Sequence, residues 1–458
     1  MRTLLLLVAI MVFVTCRSAG QEEAASGAGA RTTQNDSPPQ TATSDSISSA
    51  TSPGSQIADQ PNGDSTLETK IDAMESDEPP ERRTFKWNHY EGPYFSGRWG
   101  AGFLVEVAGY SQDDDSKRQI EMHPDERLRD FRFILGGRLG PKMERKITWS
   151  AGIMYDGPNH RWLIRQTGVM ISVPELWGNF FIGRTKEGFS LNKVMTGYDG
   201  WTMERSTMND ASIPILADGI KWLGYVPEHK FLWNIGYFND VFSKDQSFST
   251  YSSQVVARFA VLPILSDKED KVLHLGMNFR WGRPEDNKLR LRSRPEAFPA
   301  PYFIDTGSFP ADATFMAGPE AYYRTKRWLL GSEYWGVFTE AKTSGDPAFH
   351  GGDAVVTYLF NDAIRAYNPL GGYFRPVYPK RSVFEGGPGA WEAVFRLSYI
   401  DLDSGTIRGG RFARITPMLN WYLSENVRLE MAYGYGRLDR FALKGNTQFF
   451  QSRIQLQF

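Results

Sequence analysis

The sequence predicts an all-β fold: a 16-stranded antiparallel transmembrane β-barrel with an inward-folded loop and a disordered N-terminal extension. Three observations support it. Aromatic residues make up 14% of the chain, which suits a barrel with aromatic girdles at both membrane interfaces. Segments of alternating apolar and polar residues recur from Tyr94 to the end of the chain. Outside the first residues no apolar run is long enough for a membrane-spanning helix, so a helical membrane protein is excluded.

The last segment, Gln448–Phe458, shows this alternation most clearly. Apolar side chains fall on one face of an extended strand, and Gln and Arg side chains fall on the other. A half-buried strand of a soluble protein has the same pattern. A terminal Phe, however, is typical of the closing strand of bacterial outer-membrane barrels, where it belongs to the assembly signal. The rest of the chain is then expected to supply an even number of similar strands.

Residues 1–20 have the features of a secretory signal peptide. Arg2 is the positively charged start, Leu4–Val14 is an apolar stretch too short to span a membrane, and small residues precede a cut before Gln21. The only cysteine, Cys16, lies in this segment. A lipobox is the alternative reading, but the residues before Cys16 fit one poorly, so we do not expect lipidation.

Residues 21–80 are rich in Ser, Thr, Ala, Gly and Pro and nearly free of aromatic residues, which predicts a disordered periplasmic extension. This segment carries 11 acidic and 2 basic residues. The remaining region, 81–458, is the predicted barrel and carries 48 basic and 42 acidic residues. Although the whole chain has a formal charge of −1, the barrel region therefore has a positive excess, which favours anionic partners.

Sixteen segments in the barrel region have the alternation and the length that a tilted spanning strand needs, with Gly, Pro, Asn or Asp between them. The predicted strands are Gly97–Tyr110, Leu128–Leu139, Lys146–Tyr155, Arg161–Ile171, Trp177–Lys186, Asp218–Tyr225, Phe231–Phe238, Tyr251–Leu262, Val272–Trp281, Thr314–Tyr323, Arg327–Thr339, Asp353–Phe360, Ala390–Asp401, Phe412–Tyr422, Val427–Leu438 and Gln448–Phe458.

The connections differ in length on the two sides of the predicted barrel. With the N-terminus in the periplasm, most connections on that side are short, such as Ser424–Asn426. The long segments Glu187–Leu216 and Gly282–Asp312 fall on the outer side, which is the usual asymmetry of membrane barrels. The long connection Asn361–Gly389 is an exception on the short-turn side.

Alternation also predicts which basic residues face the lumen. Lipid-facing positions must be apolar, so the polar positions of each strand point inward. Arginine keeps its charge and its planar fork fits phosphate oxygens, so a set of inward arginines predicts an anion path. The alternative is that they pair with inward carboxylates such as Glu106, Glu392 and Glu430 and only pack the wall. The inward arginines are Arg98, Arg132, Arg258, Arg280, Arg396, Arg428 and Arg453.

Three motifs resemble the phosphate-selective porin O and P family over roughly Tyr94–Phe458. Gly183–Ser190 followed by Met203–Ser206 resembles a basic strand and loop of that family. Gly389-Ala390-Trp391-Glu392 with Arg396–Leu402, and Leu419–Leu423 before Asn426–Leu429, are similar to its two C-terminal strand motifs. The chain departs from the family where Glu187-Gly188-Phe189 stands in place of Pro-Phe-Gly.

The resemblance implies a homotrimer of sixteen-stranded barrels, each with an arginine ladder and a pore narrowed by inward loops. Arg396 and Arg428 lie in matched motifs. Glu187–Leu216 would be the inward loop, with Lys193 and Arg205 near the constriction and Arg184 and Lys186 at its base. The alternative for this segment is an ordinary surface loop.

We therefore expect a passive outer-membrane channel for phosphate or other small anions, surrounded by outer-membrane lipid. No catalytic residue, cofactor, metal or nucleic-acid partner is implied. A general diffusion, polyphosphate or organic-anion channel has the same architecture. An outer-membrane hydrolase would need a catalytic motif, and none is recognisable, although His274 with a nearby Ser is a candidate dyad. A structural role, in which the N-terminal extension reaches peptidoglycan or a periplasmic partner, is the third alternative.

Overall fold

The computed structural model describes residues 86–140, 146–156, 160–241, 251–266, 270–361 and 363–458. The predicted signal peptide (1–20), the predicted extension (21–80) and residues 81–85 of the predicted barrel region lie outside this description. Among the described residues there is no helix with the length and hydrophobicity that a membrane crossing requires.

Sixteen antiparallel strands form a closed barrel, in which each strand pairs with its sequence neighbours and the first pairs with the last. The predicted fold class and strand number are confirmed. The strands are β1 Ser96–Gln112, β2 Asp125–Leu139, β3 Ile147–Asp156, β4 Arg161–Ile164 with Thr167–Val173, β5 Gly178–Thr185, β6 Ala217–Val226, β7 Phe231–Asn239, β8 Tyr251–Ser266, β9 Lys271–Pro284, β10 Ala313–Thr325, β11 Trp328–Glu340, β12 Ala348–Leu359, β13 Ala390–Ser404, β14 Ile407–Tyr422, β15 Val427–Arg440 and β16 Leu443–Gln457.

The barrel closes where β16 pairs with β1, in a register that runs from Gly102 opposite Gln457 to Gln112 opposite Thr447. Beyond it, the backbone N–H groups of Ala101 and Phe458 each donate to the other residue's carbonyl at 3.0 Å. Closure matters because an open edge would leave unpaired backbone groups in the membrane, where no water satisfies them.

Several strand pairs depart from regular pairing, and the departures in β4 and β2 affect arginines. The predicted strand Arg161–Ile171 is interrupted at Arg165 and Gln166. There the backbone N–H of Gly152 on β3 donates to the Thr167 hydroxyl at 3.2 Å, and the backbone N–H of Arg165 donates to the Gly152 carbonyl at 2.7 Å. In β2, Arg129 is an extra residue, since Leu104 pairs with Asp130 and Val105 pairs with Leu128. This bulge reverses the alternation of the residues that precede it.

The strands expose apolar residues outward and bury polar residues inward. On β9, Leu275 is 41% exposed and Trp281 is 40% exposed, whereas His274 and Arg280, which precede them directly, are buried. On β15, Tyr433 and Tyr435 are exposed and the Arg428 side chain is buried. The outward side chains are those that lipid would cover.

Three connections fold into the lumen and bury the inward side chains. The first inward segment, residues 186–216, joins β5 to β6 and contains the short helices α1 Leu191–Val194 and α2 Thr207–Ser212. The second inward segment, residues 285–312, joins β9 to β10. The third inward segment, residues 360–389, joins β12 to β13 and so enters from the opposite end of the barrel.

The main apolar core lies inside the barrel, between the inward segments and the wall. Phe189 of the first inward segment packs edge-on against Trp335 of β11, with ring centroids 5.6 Å apart. Phe303 of the second packs against Phe412 of β14 at 5.4 Å. The loop Gly282–Asp312 is polar in sequence, yet Leu289, Phe303 and several of its other residues are fully buried.

A short N-terminal stretch lies against the closing seam of the barrel. A turn at Lys86–Asn88 is followed by a strand at His89–Glu91 that pairs with the start of β1. The Trp87 ring lies 4.4 Å from that of Trp99 and 6.0 Å from that of Phe458. The chain terminus is therefore held by aromatic packing as well as by backbone pairing.

Candidate functional site

Six of the seven predicted lumen arginines are buried and paired with carboxylates. Arg98, near the start of β1, is half-buried and has no ion pair within the described ranges. The six pairs are Arg132–Asp130, Arg258–Glu320, Arg280–Glu187, Arg396–Glu296, Arg428–Glu430 and Arg453 with both Glu106 and Glu204. That these arginines line an anion path stays a prediction, and their geometry also gives them another use.

That other use is to hold the first inward segment. Arg428 donates to the carbonyl of Gly200 at 2.8 Å, and Arg396 donates to the carbonyl of Glu204 at 2.8 Å. Arg453 donates to the carbonyl of Met203. Because an extended segment inside a barrel leaves its carbonyls without strand partners, these guanidiniums supply the missing donors.

Arg258 holds the third inward segment in the same way. Its Nε donates to Glu320 Oε1 at 2.7 Å, and its Nη2 donates to the carbonyl of Gly372 at 2.6 Å. His274 joins Glu320 at 2.7 Å and the Tyr367 hydroxyl at 2.6 Å. The predicted alternative partner of His274, a serine, is absent from these contacts, so the described residues form no Ser–His dyad here.

The four basic residues predicted for the constriction loop and its base lie within or beside the first inward segment. Arg184 on β5 pairs with Asp218 at 2.7 Å. Lys186 donates to the carbonyl of Met195, and Lys193 donates to that of Ile213 at 2.9 Å. Arg205 donates to the carbonyl of Met195 at 2.9 Å and has no carboxylate partner in the part of the chain that the structure describes.

The positive charges of Arg205 and Lys193 in this segment are buried and poorly compensated. Burial lowers the pKa of Arg205 to about 10; the Glu204 carboxylate opposes this shift, and the neighbouring Arg129 and Arg132 add to it. Burial also lowers the pKa of Lys193 well below that of an ordinary lysine, again with Arg205 adding to it. Both shifts have the sign expected where positive charges are crowded and desolvated.

Two further groups of arginines were not predicted as site residues. On the second inward segment, Arg290, Arg292 and Arg294 alternate along an extended stretch. Arg292 and Arg294 both stack on the Tyr302 ring, at 4.1 and 4.6 Å, and neither has an ion pair among the described residues. Their spacing of two was visible in the sequence and is the signal that would have found them.

The other group lies on the barrel wall, at the bulge in β2 and the break in β4. Arg129, the bulge residue of β2, stacks on Phe298 at 4.1 Å, and Arg294 stacks on the same ring at 5.1 Å. Arg165, at the break in β4, lies within electrostatic range of Arg132 and Arg129 and has no ion pair within the residues described. No sequence signal marks a bulge or a break, so alternation assigned neither residue to the lumen.

Arg129 lines a cavity of about 40 Å³ beside the first inward segment. A second cavity of about 180 Å³ lies nearer the end of the barrel at which β1 begins, and Thr196 borders both. The smaller cavity is lined by four guanidiniums (Arg129, Arg132, Arg205 and Arg453) and by one carboxylate, that of Glu204. Although Asp130, Glu106 and Glu430 also pair with these arginines, positive groups outnumber negative ones on the cavity lining itself, which makes this cavity a favourable place for an anion.

No group of three or more His, Cys, Asp or Glu side chains among the described residues is arranged to hold a metal ion. The candidate site instead consists of guanidinium, hydroxyl and amide groups. Such groups exchange hydrogen bonds with a passing anion without forming a covalent bond.

A family model for the phosphate-selective porin O and P family matches residues 108–458. An uncharacterised protein of Caulobacter vibrioides is 30% identical over 166 residues, which are 35% of this chain and 33% of that protein. The matched stretch therefore spans about a third of that curated relative's length.

Among solved structures, Salmonella typhi OmpF in complex with daunomycin has a TM-score of 0.51 at 10% identity, over 81% of this chain and 100% of that one. An anion-selective porin from Comamonas acidovorans has a TM-score of 0.49 at 13% identity, over 80% and 100% of the two chains. At these identities the likeness to OmpF concerns the fold alone.

Proposed function

The chain belongs to the phosphate-selective porin O and P family, and from this premise we propose that it is a passive channel for small anions, with phosphate as the preferred one. As a member of this family it is an outer-membrane porin, a channel rather than an enzyme. Its individual substrates and partners are proposals, and they rest on the charges of the lumen.

The observation that carries the proposal is a series of guanidiniums along one side of the lumen that have no carboxylate partner within the described part of the chain. Arg292 and Arg294 begin it on the second inward segment, and Arg205 ends it at the 40 Å³ cavity. Arg165 lies within electrostatic range of Arg132 and Arg129, which line that cavity. Phe298 links its two halves, because Arg294 and Arg129 stack on the same ring. An anion can pass along the series by exchanging its water for arginine hydrogen bonds one at a time.

The 180 Å³ cavity is the proposed exit. Among the described residues that line it, Arg98 is the only arginine or lysine, and the others include Gly100, Gly102 and Gln166. With fewer cations than the smaller cavity, it binds anions less tightly, so an ion that leaves the constriction is not trapped. Weak binding at several sites, rather than tight binding at one, is what conduction requires.

The experiment that tests this proposal is the reversal potential of the purified protein in a planar bilayer under a KCl gradient. We expect an anion-side reversal and a chloride current that inorganic phosphate blocks. Replacing Arg165→Gln is expected to lower the ratio of anion to cation permeability severalfold, because it removes an unpaired charge beside the cavity.

The matched control is Arg411→Gln, which removes a guanidinium that is paired with Asp401 and 49% exposed on β14. It should leave the permeability ratio unchanged. A reversal potential near zero or on the cation side for the wild-type protein would refute the proposed anion selectivity and leave a non-selective porin.

One observation favours a second candidate, an organic-anion channel. Ile134 on the inner face of β2 is 41% exposed toward the larger cavity, and Met170 and Phe181 also line it. Exposed aliphatic surface in a lumen suits a ligand with an apolar part. If benzoate blocks the chloride current at lower concentration than phosphate does, this second candidate is preferred.

We further propose that residues 1–20 are a signal peptide, that residues 21–80 lie in the periplasm and that three copies form a homotrimer in outer-membrane lipid. The family membership supports the trimer, and the composition of the first 80 residues supports the other two assignments. N-terminal sequencing of the purified protein tests the cut before Gln21. Native mass measurement in detergent tests the trimer, and a single-chain mass would contradict it.

A further inference from the structure

The carboxylate of Glu204 lies among the guanidiniums of the smaller cavity. Its Oε1 accepts from Arg129 Nε at 2.8 Å and its Oε2 accepts from Arg129 Nη2 at 3.2 Å, a bidentate pair. Arg453 also donates to Oε1. The side chain is 18% exposed and borders the cavity together with Arg132 and Arg205. It therefore occupies the position that an anion would take between Arg129 and Arg453.

The backbone of Glu204 is fixed without help from this carboxylate. Its carbonyl accepts from Arg396 Nη1 at 2.8 Å and from the Thr202 hydroxyl at 3.0 Å. The two guanidiniums also have other contacts, since Arg453 pairs with Glu106 and Arg129 stacks on Phe298. The charge of Glu204 is thus not needed to place either the segment or the arginines.

Glu204 remains ionised in this environment. Burial by itself raises its pKa, but the guanidiniums of Arg129 and Arg453 more than offset burial and hold the pKa well below its usual range. A permanent negative charge therefore lies inside the cavity that carries the positive excess.

We propose that Glu204 is a tethered competing anion that sets how tightly the constriction binds its substrate. This inference rests on the proposed function and deepens it. A passing anion gains hydrogen bonds from Arg129 and Arg453 only by displacing the Glu204 carboxylate, which returns when the ion leaves. The exchange lowers the net affinity and speeds release, because the carboxylate replaces the ion's hydrogen bonds at the moment they break.

The test is the block of chloride current by inorganic phosphate in planar bilayers. Glu204→Gln keeps the size of the side chain and removes its charge, so two guanidiniums become available to phosphate. We expect the half-blocking phosphate concentration to fall roughly tenfold or more, the gain typical of one further hydrogen bond to a charged group.

Two comparisons separate this effect from others. Asp401→Asn makes the same change in net charge at the partner of the exposed Arg411, outside both cavities, and should leave the half-blocking concentration unchanged. Glu204→Asp keeps the charge but shortens its reach, so it should lower the concentration only severalfold. If Glu204→Gln yields no folded barrel, the half-blocking phosphate concentration of Glu204→Asp still tests the inference.

The outcomes for the proposed function and for this inference differ. A wild-type channel without anion preference refutes the proposed function and the inference with it. An anion-selective wild type, blocked by phosphate, whose half-blocking concentration is the same or higher in the Glu204 variants overturns the inference alone.

Discussion

Gly102 lies on the inner face of β1, where the ring of Tyr198 from the first inward segment covers it. A Cβ at this position would overlap that ring, so no other residue fits without moving Tyr198. The Tyr198 hydroxyl donates to Asp130 at 2.6 Å, and its ring lies 4.2 Å from the Arg132 guanidinium. The missing side chain of one wall residue thus makes room for a contact that positions a lumen arginine.

We expect Gly102→Ala to destabilise the barrel. The added methyl group must push Tyr198 away from Asp130 and Arg132, and overpacking of this kind typically costs about 1–3 kcal/mol. The measurement is the temperature at which the detergent-solubilised protein loses its folded, faster-migrating band in SDS gels. Gly109→Ala on the outward face of the same strand is the control, since a Cβ there meets nothing within 4 Å. Equal unfolding temperatures for the two variants would contradict this account.

At the residue scale, alternation predicted the direction of most wall side chains but not their partners. Arg453 pairs with Glu106 on the neighbouring strand and with Glu204 on an inward segment, which lies 249 residues away in the chain. Arg129 was missed because the bulge in β2 reverses the period. Pairing across a lumen and the position of a bulge depend on tertiary packing, which a periodic pattern does not contain.

The inward segments contact one another as well as the wall. Arg365 of the third inward segment donates to both carboxylate oxygens of Glu392, at 3.0 and 2.9 Å. Its other terminal nitrogen donates to the carbonyl of Asp199 in the first inward segment at 2.8 Å. Arg365 therefore ties together two segments that enter from opposite ends of the barrel.

Arg365→Met is expected to lower the free energy of unfolding by about 3–5 kcal/mol, because it leaves the buried Glu392 without its cation. Chemical unfolding in detergent, followed by tryptophan fluorescence, measures the loss. Arg411→Met is the comparison, since Arg411 is half exposed and its pair with Asp401 is solvated. The unfolding midpoint of this variant should equal that of the wild type. If both variants unfold at the wild-type midpoint, Arg365 does not tie the segments together.

At the element scale, the sequence predicted all sixteen strands and the inward fold of residues 187–216. It did not predict that the polar loop Gly282–Asp312 would be buried, because its charged residues are typical of a solvated surface. The loop is buried since Arg292 and Arg294 stack on Tyr302 and Phe298, while Leu289 and Leu291 just before them face the core. The long connection Asn361–Gly389 was an exception to the pattern of connections, and its place in the lumen is the physical reason for its length.

At the scale of the whole molecule, the positive excess of residues 81–458 is less informative than its distribution. Most strand arginines are neutralised by adjacent carboxylates, so a count of charges overstates the field in the lumen. The uncompensated charges gather on one side, between the second inward segment and the wall of β2 and β4. Selectivity that arises from such close contacts should be screened by salt less than selectivity from distant surface charge.

Closure of the barrel is the property on which every other feature depends, and one covalent bond can test it. In a Cys16→Ser background the chain has no cysteine. Val105 and Ile454 are directly opposite each other across the β1–β16 seam. Directly opposite residues of antiparallel strands have Cα atoms about 4.5–5.5 Å apart, a separation that a disulfide spans.

We therefore expect Val105→Cys with Ile454→Cys to form a disulfide in the folded protein and to raise the temperature of unfolding in SDS, an increase that a reducing agent removes. The control combines Val105→Cys with Leu456→Cys. Leu456 lies opposite Phe103, two residues before Val105 on the same face of β1, so Val105 and Leu456 are diagonal neighbours. That pair should cross-link more slowly, because diagonal neighbours are about 7–8 Å apart. Equal cross-linking of both pairs, or none in either, would mean that β16 does not close on β1 in this register.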